Sequence, residues 1–155
     1  MTHVPTGYYY IKSVSADLKP IGRRAAEDKS LLPKAIVLNP QPAVIEKILF
    51  FIRMDDNNEY HISCAGGGAT GIDGKLFAVL MPEPPSGTWK LVPDERHKDH
   101  FVIIDAREGF MKGWKAPDTD EAQVDVGLVP VGRSFPPFYP PNAVWHLEYS
   151  PANAE

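Results

Sequence analysis

The chain has 155 residues, 43% of them hydrophobic and 23% charged, which suits one globular domain and excludes a disordered chain. Its net charge of -4 comes without a block of like charge, so no nucleic acid is expected as a partner, and no run approaches the roughly 18 apolar residues of a membrane span. Proline is the outlier at 16 residues, and because central helices and central strands tolerate few prolines, many short segments and loops are expected.

The N-terminal stretch Met1 to Gly7 has no apolar h-region, and the single cysteine, Cys64, excludes an internal disulfide. Together they point to a cytoplasmic protein. Beyond this stretch the chain reads as short apolar runs rich in β-branched and aromatic residues and bounded by Gly, Pro, Asn and Asp. Tyr9 and Ile11, two residues apart, share one face of a first strand. A glycine-containing segment follows near Gly22. Ile36 to Asn39 forms an apolar strand ending in Pro40, and Phe50 with Ile52 closes the round. Helical periodicity is weak: Glu27 to Leu32 suits one turn, and Ala43 to Phe51 is the only longer helical candidate.

The same order returns from Tyr60. Tyr60 and Ile62 open the second round, Gly71 lies in the glycine-containing segment, Ala78 to Met81 runs into Pro82, and Trp89 with Leu91 closes. Cys64 shares the face of Ile62, so a buried, inert thiol is expected. Gly66-Gly67-Gly68 lacks the Gly-Lys-Ser/Thr ending of a phosphate loop and reads as a flexible turn. Asp94 to His100 is a charged connector, and His97 and His100 within it have no third ligand of defined geometry for a metal. The third round has Phe101 and Ile103, a glycine at Gly109, Val126 to Val129 before Pro130, and Trp145 with Leu147. His146, between two core positions, is expected to face solvent.

Four strands per round and three rounds make twelve strands. No single round can bury its apolar face alone, so the three must close around one core, which also removes exposed sheet edges. The expected fold is an all-β, twelve-strand β-trefoil in three pseudo-symmetric repeats, approximately residues 7–54, 58–94 and 99–150. The second round is the plain version. The first has extra residues between Gly22 and Ala35, and the third has them at Lys112 to Gln123 and Val131 to Asn142. Extra loop length on a rigid scaffold is where function concentrates.

No catalytic constellation is visible and no metal or cofactor is implied, so the chain is expected not to be an enzyme. The Gln-x-Trp pattern of ricin-type sugar-binding trefoils is missing: Leu49-Phe50, Thr88-Trp89 and Val144-Trp145 have no glutamine two places before the aromatic residue. A carbohydrate-binding lectin remains an alternative.

The informative loop runs from Gly22 to Lys34. Pro33 restricts Leu32 to extended conformations, and Asp28 or Ser30 can bond local backbone groups and stiffen the turn. Lys29 lies in the middle. A trypsin-like protease has a pocket with an acid at its base that a lysine or arginine fills, and a stiff loop avoids the entropy cost of ordering on binding. Such complexes bury roughly 1,600 Å² in total, so one loop with a few flanking contacts suffices.

Thr6-Gly7-Tyr8-Tyr9-Tyr10-Ile11, Ile21-Gly22-Arg23-Arg24, Glu27 to Lys34 and the Trp145-containing end resemble the mushroom β-trefoil protease inhibitors, most of all their serine protease branch, the mycospins. The resemblance covers nearly the whole chain. It implies a cytosolic fungal inhibitor of trypsin, expected as a monomer and without a cofactor. One type in that family uses the loop between the second and third strands, which implies Lys29 in the protease pocket with Glu27, Asp28, Ser30 and Leu31 along the cleft. Another uses the loop between the eleventh and twelfth strands, which makes Arg133, followed by Ser134, the alternative. Arg23 and Arg24 are weaker candidates because they finish a strand. The related mycocypins inhibit papain-like proteases and legumain. Legumain inhibition needs an asparagine between the fifth and sixth strands, where this sequence has Gly66 to Gly71, while papain-type inhibition stays open.

Overall fold

The computed structural model describes residues 4–39, 44–83, 85–107 and 111–151. Twelve strands follow in chain order: β1 (Gly7–Ser13), β2 (Lys19–Arg23), β3 (Lys34–Leu38), β4 (Leu49–Met54), β5 (Tyr60–Cys64), β6 (Gly67–Ile72), β7 (Lys75–Val79), β8 (Trp89–Pro93), β9 (His100–Asp105), β10 (Lys112–Lys115), β11 (Asp125–Leu128) and β12 (Trp145–Tyr149). The described helical structure is single 3₁₀ turns, including Ile45–Lys47 and Pro141–Ala143.

Antiparallel pairing closes six strands into a ring: β1 on β4, β4 on β5, β5 on β8, β8 on β9, β9 on β12 and β12 back on β1. The other six form three hairpins, β2–β3, β6–β7 and β10–β11, and β7 bridges the other two by pairing with β3 and β11. Local sequence sets the tight turns. Asp73 and Gly74 join β6 to β7 with φ of 51° and 80°, the doubly left-handed turn whose twist matches that of its strands. Ala65 and Gly66 do the same between β5 and β6.

The opening and closing pairs all point inward. Tyr9, Ile11, Phe50, Ile52, Tyr60, Ile62, Trp89, Leu91, Phe101, Ile103, Trp145 and Leu147 are buried in one cluster with Cys64. Trp114 stands among them, edge-on to Trp89 at 5.4 Å and to Trp145 at 6.4 Å. Such aromatic pairs add about 0.5–1.5 kcal/mol each beyond their buried area. Trp89 Nε1 donates to Ala69 O at 3.1 Å and Trp145 Nε1 to Trp114 O at 3.1 Å. β9 is buried on both faces: Phe101 and Ile103 enter this cluster, while Val102 and Ile104 join Val129, Tyr139, Ala143 and Val144 in a second one.

Several local expectations are corrected. Lys112 to Lys115 is a strand, not loop surplus, and supplies the buried Trp114. The prolines do not end their strands: β7 stops at Val79 and β11 at Leu128, which is 61% exposed. Glu27 to Leu32 forms no helix, because side chains of the loop capture the backbone donors of Ser30 and Leu32. In the Ala43 to Phe51 run the described residues hold only the turn Ile45–Lys47 before β4 begins. Gly67 and Gly68 belong to β6, where a Cβ on Gly67 would come within 2.8 Å of the Ala78 Cβ. Close packing, not flexibility, explains that glycine. Pro40, Ala43 and Gly109 lie outside the described residues.

Candidate functional site

The Lys29 loop leaves the barrel at Arg23, the last residue of β2, and returns at Lys34, the first of β3. Both basic residues are buried at 6% exposure, and each holds one layer of the loop. At the base, Arg23 Nε donates to Glu27 Oε2 at 3.0 Å and Nη2 to Oε1 at 2.7 Å, a fork-on-carboxylate pair. Its Nη1 reaches across to the β5–β6 turn, donating to Ala65 O at 2.8 Å and Cys64 O at 3.2 Å. Lys47 Nζ adds a third donor to Glu27 at 2.6 Å. Burial alone would raise the Glu27 carboxyl pKa, but the hydrogen bonds from Arg23 and Lys47 outweigh it and hold it below the ordinary value. The Glu27 carboxylate is therefore turned into the loop base as a strut.

Nearer the tip, Lys34 Nζ donates to Asp28 Oδ1 at 2.6 Å and to Asp28 O at 3.1 Å. The same Asp28 oxygen accepts the Ser30 N–H at 3.0 Å and the Ser30 hydroxyl at 2.6 Å. Ser30 Oγ in turn accepts the Leu32 N–H at 3.3 Å. The Lys34 ammonium, then Ser30, pull the Asp28 carboxyl down to about 2. Lys29 stands between these two fixed residues, exposed and with no hydrogen bond or ion pair among the described residues. Leu31 and Leu32 are 60% and 66% exposed. A solvated lysine on a turn tied from below at both neighbours is presented rather than merely free. Pro33 lines a small hollow beneath the loop with Arg24, Asp28 and Phe77.

The second candidate loop runs between β11 and β12. Gly132 and Phe138 pair across its neck, Gly132 N donating to Phe138 O at 2.7 Å. Arg96, from the β8–β9 connector, donates to Ser134 Oγ at 2.9 Å and Pro136 O at 3.0 Å, and its guanidinium sits 5.7 Å over the Phe138 ring. Arg133 and Ser134 are exposed, and Phe135 is 97% exposed. The second apolar cluster anchors this loop through Val129 and Tyr139. Arg133 and Lys29 thus lie on different loops, one held by Arg96 from the β8–β9 connector and the other by Lys34 where the loop rejoins the barrel.

Arg96, Lys34 and Lys47 escaped the sequence reading. Arg96 and Lys47 act on partners far along the chain, Lys34 looks like an ordinary strand start although its partners Asp28 and Ser30 are close by, and the one legible signal was the Asp28-x-Ser30 spacing that stiffens a turn. Arg23 ends β2 as expected, but buried at the loop base, whereas Arg24 is exposed. Cys64 is buried, its thiol donates to Lys47 O at 3.0 Å, and burial pushes its pKa up to about 11. His146 faces solvent only in part: it is half buried, its ring edge-on to that of His100 at 5.3 Å, and the His97 ring lies tilted to His100 at 5.0 Å. Burial first, then His146 and His97, lower the His100 pKa. The connector otherwise runs exposed from Glu95 to Asp99, while Asp94 is buried. Between β5 and β6 the loop is only Ala65-Gly66, with no asparagine.

Comparison with known proteins places the chain as a whole in a family. A solved proteinase inhibitor from Coprinopsis cinerea superposes with a TM-score of 0.85 at 27% identity, covering 95% of this chain and 99% of that one. A ricin B-like lectin from Macrolepiota procera, in complex with lactose, superposes at 0.69 with 17% identity over 96% of this chain and 100% of that one. That likeness shows the fold alone, a β-trefoil shared by inhibitors and lectins. A curated serine protease inhibitor from Lentinula edodes is 33% identical over 127 residues, 82% of this chain and 87% of that protein. The family model for peptidase inhibitor I66 matches residues 1–149. On this match and this relative, the chain belongs to the peptidase inhibitor I66 family.

Proposed function

We propose that the chain is a substrate-like inhibitor of trypsin-type serine proteases, with Lys29 entering the specificity pocket and Asp28, Ser30 and Leu31 along the cleft. One observation carries this reading: Lys29 is exposed and unpaired among the described residues while both its neighbours are tied to the buried Lys34. Such a loop has already lost the freedom that binding would otherwise remove. The Lentinula edodes relative, a serine protease inhibitor, supports the class of target. Glu27 serves the same loop from below. The reading takes the chain as one domain of three pseudo-symmetric repeats, residues 7–54, 58–94 and 99–150, with the first repeat carrying the inhibitory loop.

Lys29→Ala tests it. Loss of a pocket-filling residue of at least about 2–4 kcal/mol weakens trypsin inhibition about 30- to 1000-fold. The thermal midpoint should stay put, because Lys29 holds nothing. A second reading places the same activity on Arg133, favoured by the grip of Arg96 on Ser134 and Pro136. Arg133→Ala then loses inhibition and Lys29→Ala keeps it, an outcome that moves the site.

A further inference from the structure

The tip of the Lys29 loop is held in an unusual place. Lys34 Nζ touches the residue before Lys29, through Asp28 O and Oδ1, and the residue after it, through Ser30 Oγ at 3.5 Å. Asp28 Oδ1 itself spans Lys29 by accepting the Ser30 N–H and hydroxyl. Every one of these bonds is made by atoms that survive cleavage of the Lys29–Ser30 peptide bond. Lys34 belongs to β3, whose backbone is paired with β7 at Ala78, so the clamp is fixed to the barrel and not to the loop. Behind it, Arg23 and Lys47 hold Glu27 on the N-terminal side of the bond.

We propose that Lys34, with Asp28, acts as a positioning clamp that keeps the two ends of the Lys29–Ser30 bond together after a protease cuts it, so that the nicked protein remains an inhibitor and the bond is resealed. This rests on the reading of Lys29 as the residue in the protease pocket. In the forward step the protease serine oxygen bonds to the Lys29 carbonyl carbon and the C–N bond breaks. Ser30 nitrogen leaves as an amine, taking the proton that the serine hydroxyl gave up. Water can then replace the serine, leaving a Lys29 carboxylate and a Ser30 ammonium. In reverse, the protease serine oxygen bonds to the Lys29 carboxyl carbon and water leaves; the Ser30 ammonium gives up a proton, its amine attacks the acyl carbon, the serine oxygen leaves, and that oxygen regains its proton. The clamp keeps the amine beside the acyl carbon by holding Ser30 Oγ and Asp28 from the same ammonium. The gain is one of proximity, because the two ends never become independent molecules.

The test uses the full chain. Intact protein and protein already nicked after Lys29 are each incubated with a trace of trypsin, and the nicked-to-intact ratio is followed by mass, the two forms differing by one water. For the wild type both mixtures should converge on one ratio with substantial intact protein, and the nicked form should inhibit trypsin. For Lys34→Met the ratio should rise at least about tenfold toward the nicked form, the worth of one hydrogen bond to a charged group. Lys34→Arg should restore much of the difference, since a guanidinium still donates to Asp28 and Ser30. Thermal midpoints are recorded in parallel, because a merely structural role lowers the midpoint without moving the ratio in folded protein. If nicked wild type neither inhibits nor reseals, or if Lys34→Met reseals as wild type does, the clamp is overturned while Lys29 keeps its place. If no nick after Lys29 ever forms, the clamp and the Lys29 reading fall together.

Discussion

Replacing Arg23 by methionine should loosen the whole Lys29 loop at its root. Methionine keeps the buried stem but removes all four hydrogen bonds of the guanidinium: two to Glu27 and two to the Cys64 and Ala65 carbonyls. Breaking a buried ion pair costs about 3–5 kcal/mol. Glu27 retains Lys47 as a partner, so the lower end applies, about 3 kcal/mol. At about 2–4 °C per kcal/mol for a chain of this size, the thermal midpoint falls by about 6–12 °C, which calorimetry or circular dichroism reads directly. Glu27→Gln should cost less, and the double variant less than the sum, because the two groups act on each other. A fall of under about 2 °C, a noise-level loss for such a chain, or strict additivity of the two variants would refute the strut.

Three further outcomes follow from the same geometry. Gly22→Ala puts a Cβ 2.1 Å from the Lys47 carbonyl oxygen and should cost about 3 kcal/mol, whereas at Gly127 the nearest atom is the Lys115 side chain at 3.7 Å and Ala should be near neutral; urea unfolding separates the two. Cys64 should resist iodoacetamide at pH 8 in the folded protein, with its thiol pushed up to about 11, and react once the chain is unfolded. Asp28 is held down to about 2 from its ordinary 3.8, so its contribution to stability is full above 3.8 and fades as pH falls toward 2; the midpoint gap between wild type and Asp28→Asn should shrink over that window and hold steady above it.

The inward-facing pairs were legible because alternation on a strand fixes the buried face: Tyr9 with Ile11, Trp89 with Leu91 and Trp145 with Leu147 all reach the core. Trp114 was not. It lies in a four-residue strand between two glycine- or proline-bounded segments, too short for a period to declare itself, and its place among Trp89, Trp145 and Phe50 is a property of closure. Leu128 misled for the opposite reason: it sits in an apolar run, yet lies on the open face of β11. At the site, proline and the Asp28–Ser30 spacing announced a stiff turn, since those signals act within two residues. The cations that brace it could not be read. Lys34 and Arg23 look like ordinary strand ends in sequence, and only the fold brings Arg23 against Cys64 and Ala65, which lie more than forty positions away.

Bracing from outside the loop also explains how a basic residue can remain exposed and still be held. An isolated surface ion pair contributes little, but Lys34 is buried and bonds three oxygen atoms at once, so the turn around Lys29 is fixed by the barrel. Arg96 braces the Arg133 loop differently, from an exposed position and on one side of Arg133 only, through Ser134 and Pro136.

Titration of trypsin with the purified protein, followed by mass spectrometry of the complex after mild acid, tests the central claim most directly. Stoichiometric inhibition with a single nick after Lys29 is the predicted result. A lack of inhibition at micromolar protein would contradict the trypsin-type reading, and inhibition with the nick after Arg133 would contradict the assignment to Lys29.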